Sequence, residues 1–203
     1  MAFSDQEKRI LETGLETMMD IEVSKFTIDS FSQKIKMSKK TIYKFFPTKE
    51  NLIEKMIEYK TNTIHEKFKY IVAQNTDPVQ KYWEMIHVVY STARFAPKKI
   101  AFIKEKYPHI WKKVEYFRLQ NVIFFCQVFN DAQVLGLTDK DADMHKVATL
   151  FMNNINSTFQ PEFFITHQLE VKEMLLMYAD IFGRGLFGER STEFKQNVFS
   201  AGN

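Results

Sequence analysis

Cysteine is nearly absent from this sequence, and the single example, Cys126, excludes an internal disulfide and suits a reducing compartment. It sits in the apolar run Val122-Ile123-Phe124-Phe125-Cys126, where a thiol reads as a buried structural group rather than a redox sensor. Proline and glycine are scarce too, at 5 and 6 of 203 residues, and they fall at punctuation points. Pro47, Pro78, Pro97, Pro108 and Pro161 each coincide with a helix break or start, and Gly136, Gly183, Gly185 and Gly188 with predicted helix ends. No apolar run approaches the length of a bilayer-spanning helix. Met1 to Glu16 carries Asp5, Glu7, Glu12 and Glu16 and does not read as a signal peptide, so the expected location is the cytoplasm. Excess charge is missing as well: 28 basic against 25 acidic residues leave +3, so any nucleic-acid surface must be local.

Catalytic signatures are also lacking. There is no GxSxG, no phosphate-cradling glycine-rich loop, no HExxH and no paired-cysteine motif. The five histidines, at 65, 87, 109, 145 and 167, fall on five different predicted elements or their ends, which shows no metal cluster. The expectation is a non-enzyme with no cofactor and no metal. A helical enzyme that keeps a DNA-binding-like front is the distant alternative, and no residue constellation supports it.

What is present is helical throughout, without internal repeats or low-complexity segments. Residues 4–20 form an amphipathic helix, capped by Ser4 with Glu7 completing a capping box and with Ile10, Leu11, Leu15 and Met18 on one face. From Thr48 to about Gln74 the pattern runs on without glycine or proline, longer than the usual globular helix. Further helices are predicted over 78–94, 98–107, 109–135, 139–159 and 167–182, and the tail from Ser191 reads as polar and loose.

Residues 27–52, TIDSFSQKIKMSKKTIYKFFPTKENL, organise the rest. Thr27 is an N-cap, after which Ile28, Phe31 and Ile35 recur at helical spacing. Ser38 caps a second short helix that Pro47 stops, and Thr48 caps a third. Two short helices joined by a tight turn are the geometry of a helix-turn-helix, whose second helix enters the major groove. Lys34, Lys36, Lys39, Lys40, Lys44 and Lys49 lie in a stretch without an acidic residue. Ile42, Phe45 and Phe46 would fasten the second helix to its domain. Phe31, Ile35, Ile42 and Phe46 are expected to meet Leu11, Leu15 and Met18 in a three-helix core.

Ser38-Lys39-Lys40-Thr41-Ile42-Tyr43-Lys44-Phe45-Phe46-Pro47-Thr48-Lys49-Glu50 resembles the DNA-binding motif of the TetR family of bacterial transcriptional regulators. That motif runs Ser-Lys-x-Thr-hydrophobic-Tyr-x-aromatic-Phe-Pro-Ser-Lys-Glu. The match is specific over 27–52 and weaker back through Arg9-Ile10-Leu11. The family usually has glycine near Ile21, Lys36 and Lys40, and none is glycine here. At Lys36, in the turn, either a lysine is strained or the turn differs.

The resemblance implies an all-α protein with three parts. They are a three-helix DNA-binding domain at 1–47, a helical-bundle ligand-binding and dimerisation domain at 48–190, and a flexible polar tail at 191–203. It places Lys39, Thr41, Tyr43 and Lys44 on the recognition helix. Tyr43 and Lys49 fall at phosphate-contacting positions, Thr27 lies near the backbone, and Lys40 is a contact the family does not usually have. Lys36, Ser38 and Thr48 complete the expected DNA-binding set. Lysine and tyrosine more often position a protein on DNA than specify sequence.

The implied function is a repressor that binds a palindromic operator as a homodimer through the last two predicted helices. A small, largely apolar effector releases it by tilting the long helix after Thr48. Twenty phenylalanines and ten methionines suit an adaptable apolar pocket, with Trp83, Tyr90, Trp111, Phe117, Phe125, Phe129, Phe151 and Asn154 as candidate lining. The alternative is a helix-turn-helix regulator without an effector, its later helices forming a solid core that serves dimerisation or a protein partner.

Overall fold

The computed structural model describes residues 3–94 and 96–200. Its regular elements are helices, and no strand occurs among the described residues. They are α1 (Asp5–Asp20), α2 (Ile28–Ile35), α3 (Lys39–Phe45), α4 (Lys49–Ala73), α5 (Pro78–Thr92) and α6 (Pro97–Lys106). There follow α7 (Pro108–Gln120), α8 (Val122–Val134), α9 (Met144–Thr158), α10 (Pro161–His167), α11 (Val171–Phe187) and α12 (Arg190–Ser200). No helix among the described residues is long and apolar enough to cross a membrane.

The chain forms two compact units, one of residues 1–63 with 98–114 and the other of 64–97 with 115–203. The division between the two units falls inside α4 and inside α7. The reason is local pairing: the first half of α4 is tied to the start of α7. Glu50 Oε1 lies 3.3 Å from His109 Nε2, and one turn on Glu54 is paired with Lys113. Both steps are four residues, so the two helices run side by side with their N-termini level.

In the first unit Ser4 and Glu7 make the predicted capping box of α1. Ile10, Leu11, Met18, Phe26, Phe31, Ile35, Ile42 and Phe46 are all buried, as the sequence spacing requires, while Leu15 is half-buried. Lys99 of α6 donates to the backbone carbonyls of Met18 (3.3 Å) and Met19, carbonyls at the end of α1 that find no partner within it.

Glu54 is held below the ordinary carboxylate range, chiefly by the hydrogen bond from Lys113, with burial opposing. Its folded pKa is therefore depressed. The stability it adds is present above the unfolded-state value near 4.5 and is lost as pH falls through the folded value. Glu54→Gln is expected to flatten the acid limb of the stability–pH curve, read from urea midpoints between pH 3 and 7 (roughly the carboxylate range). An acid limb unchanged by the substitution would contradict the assignment.

The second unit is built on an aromatic core. Tyr82 and Trp83 of α5 are fully buried beside Phe125 and Phe129 of α8, Phe151 of α9 and Phe187 of α11. Ring centroids lie 5.3 Å apart for Tyr82–Trp83, 4.8 Å for Phe125–Phe151 and 5.5 Å for Tyr82–Phe187, in edge-on or tilted pairs. The polar tips are satisfied within the core. The Tyr82 hydroxyl donates to the Ala179 carbonyl (2.7 Å), Tyr178 to the Phe151 carbonyl (3.0 Å) and the Trp83 ring N–H to Ser191 Oγ (3.2 Å). Burial pushes the Tyr82 hydroxyl well above its ordinary pKa.

Five features depart from the sequence reading. The helix expected over 109–135 is two, broken at Asn121, which is buried and makes no side-chain capping bond. The helix expected from Asp139 starts at Met144, because Asp143 rather than Asp139 caps it, accepting from the Lys146 amide. Gly183 and Gly185 do not end α11. The helix runs to Phe187 and stops at Gly188, whose φ of 62° a side-chain-bearing residue rarely adopts. The expected loose tail is helix α12 up to Ser200, where Phe194, Val198 and Phe199 pack on the core; residues 201–203 lie outside the described ones. Cys126, expected buried, is half-buried and accepts from the Asn130 side chain (3.3 Å).

Candidate nucleic-acid interface

The turn between α2 and α3 is short because Lys36 closes α2 in the left-handed conformation, at φ 54° and ψ 47°. The Met37 amide then bonds back to the Ser32 carbonyl (3.0 Å), and Ser38 starts α3 by accepting from the Thr41 amide (3.1 Å). Thr27 and Thr48 do the same at the starts of α2 and α4, accepting from the amides of Ser30 (3.1 Å) and Asn51 (3.0 Å). The hydroxyls of Thr27, Ser38 and Thr48 thus have a structural task first, and Thr41 is engaged with Ser38 (2.8 Å).

A left-handed lysine costs about 1–2 kcal/mol in backbone strain, offset in part by the greater entropy glycine loses on folding. Lys36→Gly is expected to raise stability by about 0.5–1 kcal/mol while weakening DNA binding. Denaturant midpoints and a DNA titration read the two effects separately, and lowered stability would sink the strain account.

α3 divides cleanly. Ile42 is fully buried and Phe46, just beyond the helix, nearly so, while Lys40, Tyr43 and Lys44 are exposed, with Lys40 and Lys44 one turn apart on one side. The lysines are not equivalent. Lys39 is paired with Asp29 of α2, and Lys34 with Asp20 (2.9 Å). Lys49, half-buried, lies 5.8 Å from the centre of the Phe26 ring. Burial, with the charge of Lys106 adding to it, lowers the Lys49 ammonium below the ordinary lysine range. Lys36, Lys40 and Lys44 are exposed and have no ion-pair partner among the described residues. The carboxylates of Asp20 and Asp29 are what the sequence reading missed, because they lie outside the acid-free stretch and reach it only through packing.

The candidate pocket residues are not gathered around one space. Trp83, Phe125, Phe129 and Phe151 belong to the aromatic core and touch one another or Tyr82. Tyr90 rests on Phe199, and Phe117 on His65, with ring centroids 5.3 and 6.2 Å apart. Trp111 belongs to the first unit and Asn154 is exposed. Within the first unit α4 and α7 enclose a cleft of about 60 Å³ lined by Glu54, Ile57, Glu58, Thr61, Ile110, Lys113 and Val114. That is room for a few waters, far below the roughly 300–1,000 Å³ of a small-molecule pocket.

A helix-turn-helix opening an otherwise all-helical chain defines the class: this is the fold of TetR-family transcriptional regulators. Among similar solved structures is a transcriptional regulator from Cytophaga hutchinsonii, with a TM-score of 0.71 at 14% identity, covering 91% of this chain and all of the other. A TetR/AcrR-family regulator from Thermobifida fusca gives 0.63 at 14% identity, over 90% of this chain and 98% of the other. FadR from Bacillus subtilis, solved with stearoyl-CoA, gives 0.61 at 11% identity, over 88% and 98%. No family model matches the chain, and no curated protein matches it. The likeness is therefore one of fold, carried by structure rather than sequence.

Proposed function

We propose that the protein is a transcriptional regulator, a repressor that binds a palindromic operator as a homodimer through residues 27–50. The observation that carries the reading is the exposed trio Lys36, Lys40 and Lys44 on a capped helix-turn-helix, with Tyr43 (42% exposed) between them. Neutralised phosphates release counterions, so such a trio supports affinity at a chain charge of only +3.

The dimer reading rests on α9 and α11, the two helices expected to pair. Met177 and Ile181 stand one turn apart on α11, exposed at 49% and 66%, and Leu150 on α9 is exposed at 61%. Large apolar side chains bared in a row favour a second copy as their cover. A two-fold pair of recognition helices one DNA turn apart, about 34–36 Å, selects a palindrome.

For release, a CoA thioester is the first effector class to try, since FadR from Bacillus subtilis was solved with stearoyl-CoA. An effector shifts the DNA-binding equilibrium only by its differential affinity for the two states. The second reading, a regulator without an effector, is favoured by the mutual packing of Trp83, Phe125, Phe129 and Phe151, which fills the core with side chains. Selection of genomic fragments by the purified protein, followed by affinity against salt with and without an acyl-CoA series, tests all three parts. A palindromic winner with a steep salt slope supports the reading, and recovery of no preferred sequence overturns the operator claim.

A further inference from the structure

The charge of the chain is unevenly held. The first unit carries 17 basic and 11 acidic side chains, the second 11 and 14, so the first is +6 and the second −3, which sum to the chain's +3. The helix-turn-helix does not account for all of the first unit's surplus. Residues 98–114 add Lys98, Lys99, Lys104, Lys106, Lys112 and Lys113 against the single Glu105.

Two of those lysines have tasks within the fold, Lys99 at the end of α1 and Lys113 on Glu54. Lys106 is different. It is exposed at the last position of α6, and the two paired rungs of α4 and α7 set the corner that follows it level with the first turn of α4. The Lys49 ammonium, at the first position of α4, is held below the ordinary lysine range chiefly by its burial and in smaller part by the charge of Lys106. Two like charges held near one another at a protein surface repel, and a phosphate bound by both removes the repulsion. Lys49 is itself at the position where the family resemblance puts a phosphate contact.

We infer that the α6–α7 corner, through Lys106, is an accessory DNA-backbone contact that extends the binding surface beyond the helix-turn-helix. It would act with Lys49 on a phosphate at the edge of the site. The inference rests on the DNA-binding reading above. It adds a residue that lies 56 positions beyond Glu50, the last residue of the proposed interface. A phosphate contact carries no sequence information, so the corner raises affinity for all duplexes alike.

The test is the salt dependence of binding to mixed-sequence duplex DNA and to the selected fragment, for the parent, Lys106→Gln, Lys106→Arg and Lys140→Gln. Lys140 is an exposed lysine of the second unit and controls for net charge. Lys106→Gln is expected to lower the slope of log K against log salt by about 0.9 per protomer, roughly eightfold in affinity between 1 M and 0.1 M salt. Its preference for the selected fragment over mixed sequence, its thermal midpoint and its oligomeric state should stay unchanged. Lys106→Arg should keep the parental slope and Lys140→Gln should leave it alone. An unchanged slope in Lys106→Gln, with the parent binding DNA, overturns the corner contact and leaves the helix-turn-helix reading standing. A parent that binds neither duplex overturns both.

Discussion

Alanine at both Lys40 and Lys44 is expected to reduce DNA binding more than any other pair of substitutions in the first unit. Each is exposed, each lacks an ion-pair partner among the described residues, and they stand one turn apart on the side of α3 away from Ile42. If each meets one phosphate, the salt slope falls by about 1.8 per protomer, or about 3.6 for a dimer, roughly a thousandfold or more between 1 M and 0.1 M salt. Lys39→Ala should do less to the slope, because its charge is already countered by Asp29. The discriminating comparison is Asp29→Asn, which frees Lys39 and should raise nonspecific affinity. A double variant that loses sequence preference at an unchanged slope would show that Lys40 or Lys44 reads a base edge instead of a phosphate.

The second large effect is on stability. Gly183 lies inside α11 where a side chain has no room: a Cβ there would stand 2.5 Å from Ser191 Oγ and 3.1 Å from Tyr82 Cε1. Neither neighbour yields easily. Tyr82 is fully buried and bonded to Ala179, and Ser191 accepts the Trp83 ring N–H. Gly183→Ala is expected to lose about 1–3 kcal/mol despite alanine's better helix propensity, and Gly183→Val more. Thermal or urea unfolding measures it. Pairing Gly183→Ala with Ser191→Gly removes the nearer clash but orphans the Trp83 ring N–H, so the double variant should recover only part of the loss. A Gly183→Ala protein as stable as the parent would refute the close approach.

These two predictions mark where sequence was and was not readable. The helix-turn-helix was legible because what makes it is local. Thr27, Ser38 and Thr48 cap helices within three residues of themselves, Pro47 forbids continuation, and Ile42 and Phe46 repeat at four. At Lys36 the sequence left two alternatives, a strained lysine or a different turn, and the backbone at φ 54° decides for the first. The pairing of Lys39 with Asp29 was not legible, since it depends on how α2 and α3 cross. Gly183 was misread as a helix stop because nothing in its neighbours in sequence reveals that Ser191 and Tyr82 come within van der Waals distance. Helix α12 was misread as loose because its eleven residues hold only three apolar side chains, Phe194, Val198 and Phe199, too sparse a stripe to show a period. The pocket was the least legible feature. The aromatic load names a core, but whether aromatics line a space or fill it depends on how α5, α8, α9 and α11 meet.

By itself, then, the sequence determined the all-helical class, the order of most helices and the DNA-binding motif, since periodicity, capping and chain stops act over a few residues. Tertiary structure alone decided which lysines stay unpaired, where α11 ends, that the chain past Ser191 is helical, and that the α6–α7 corner stands level with the first turn of α4. Most of those are set by side chains ten or more residues apart in the chain, whose meeting depends on packing and not on local preference.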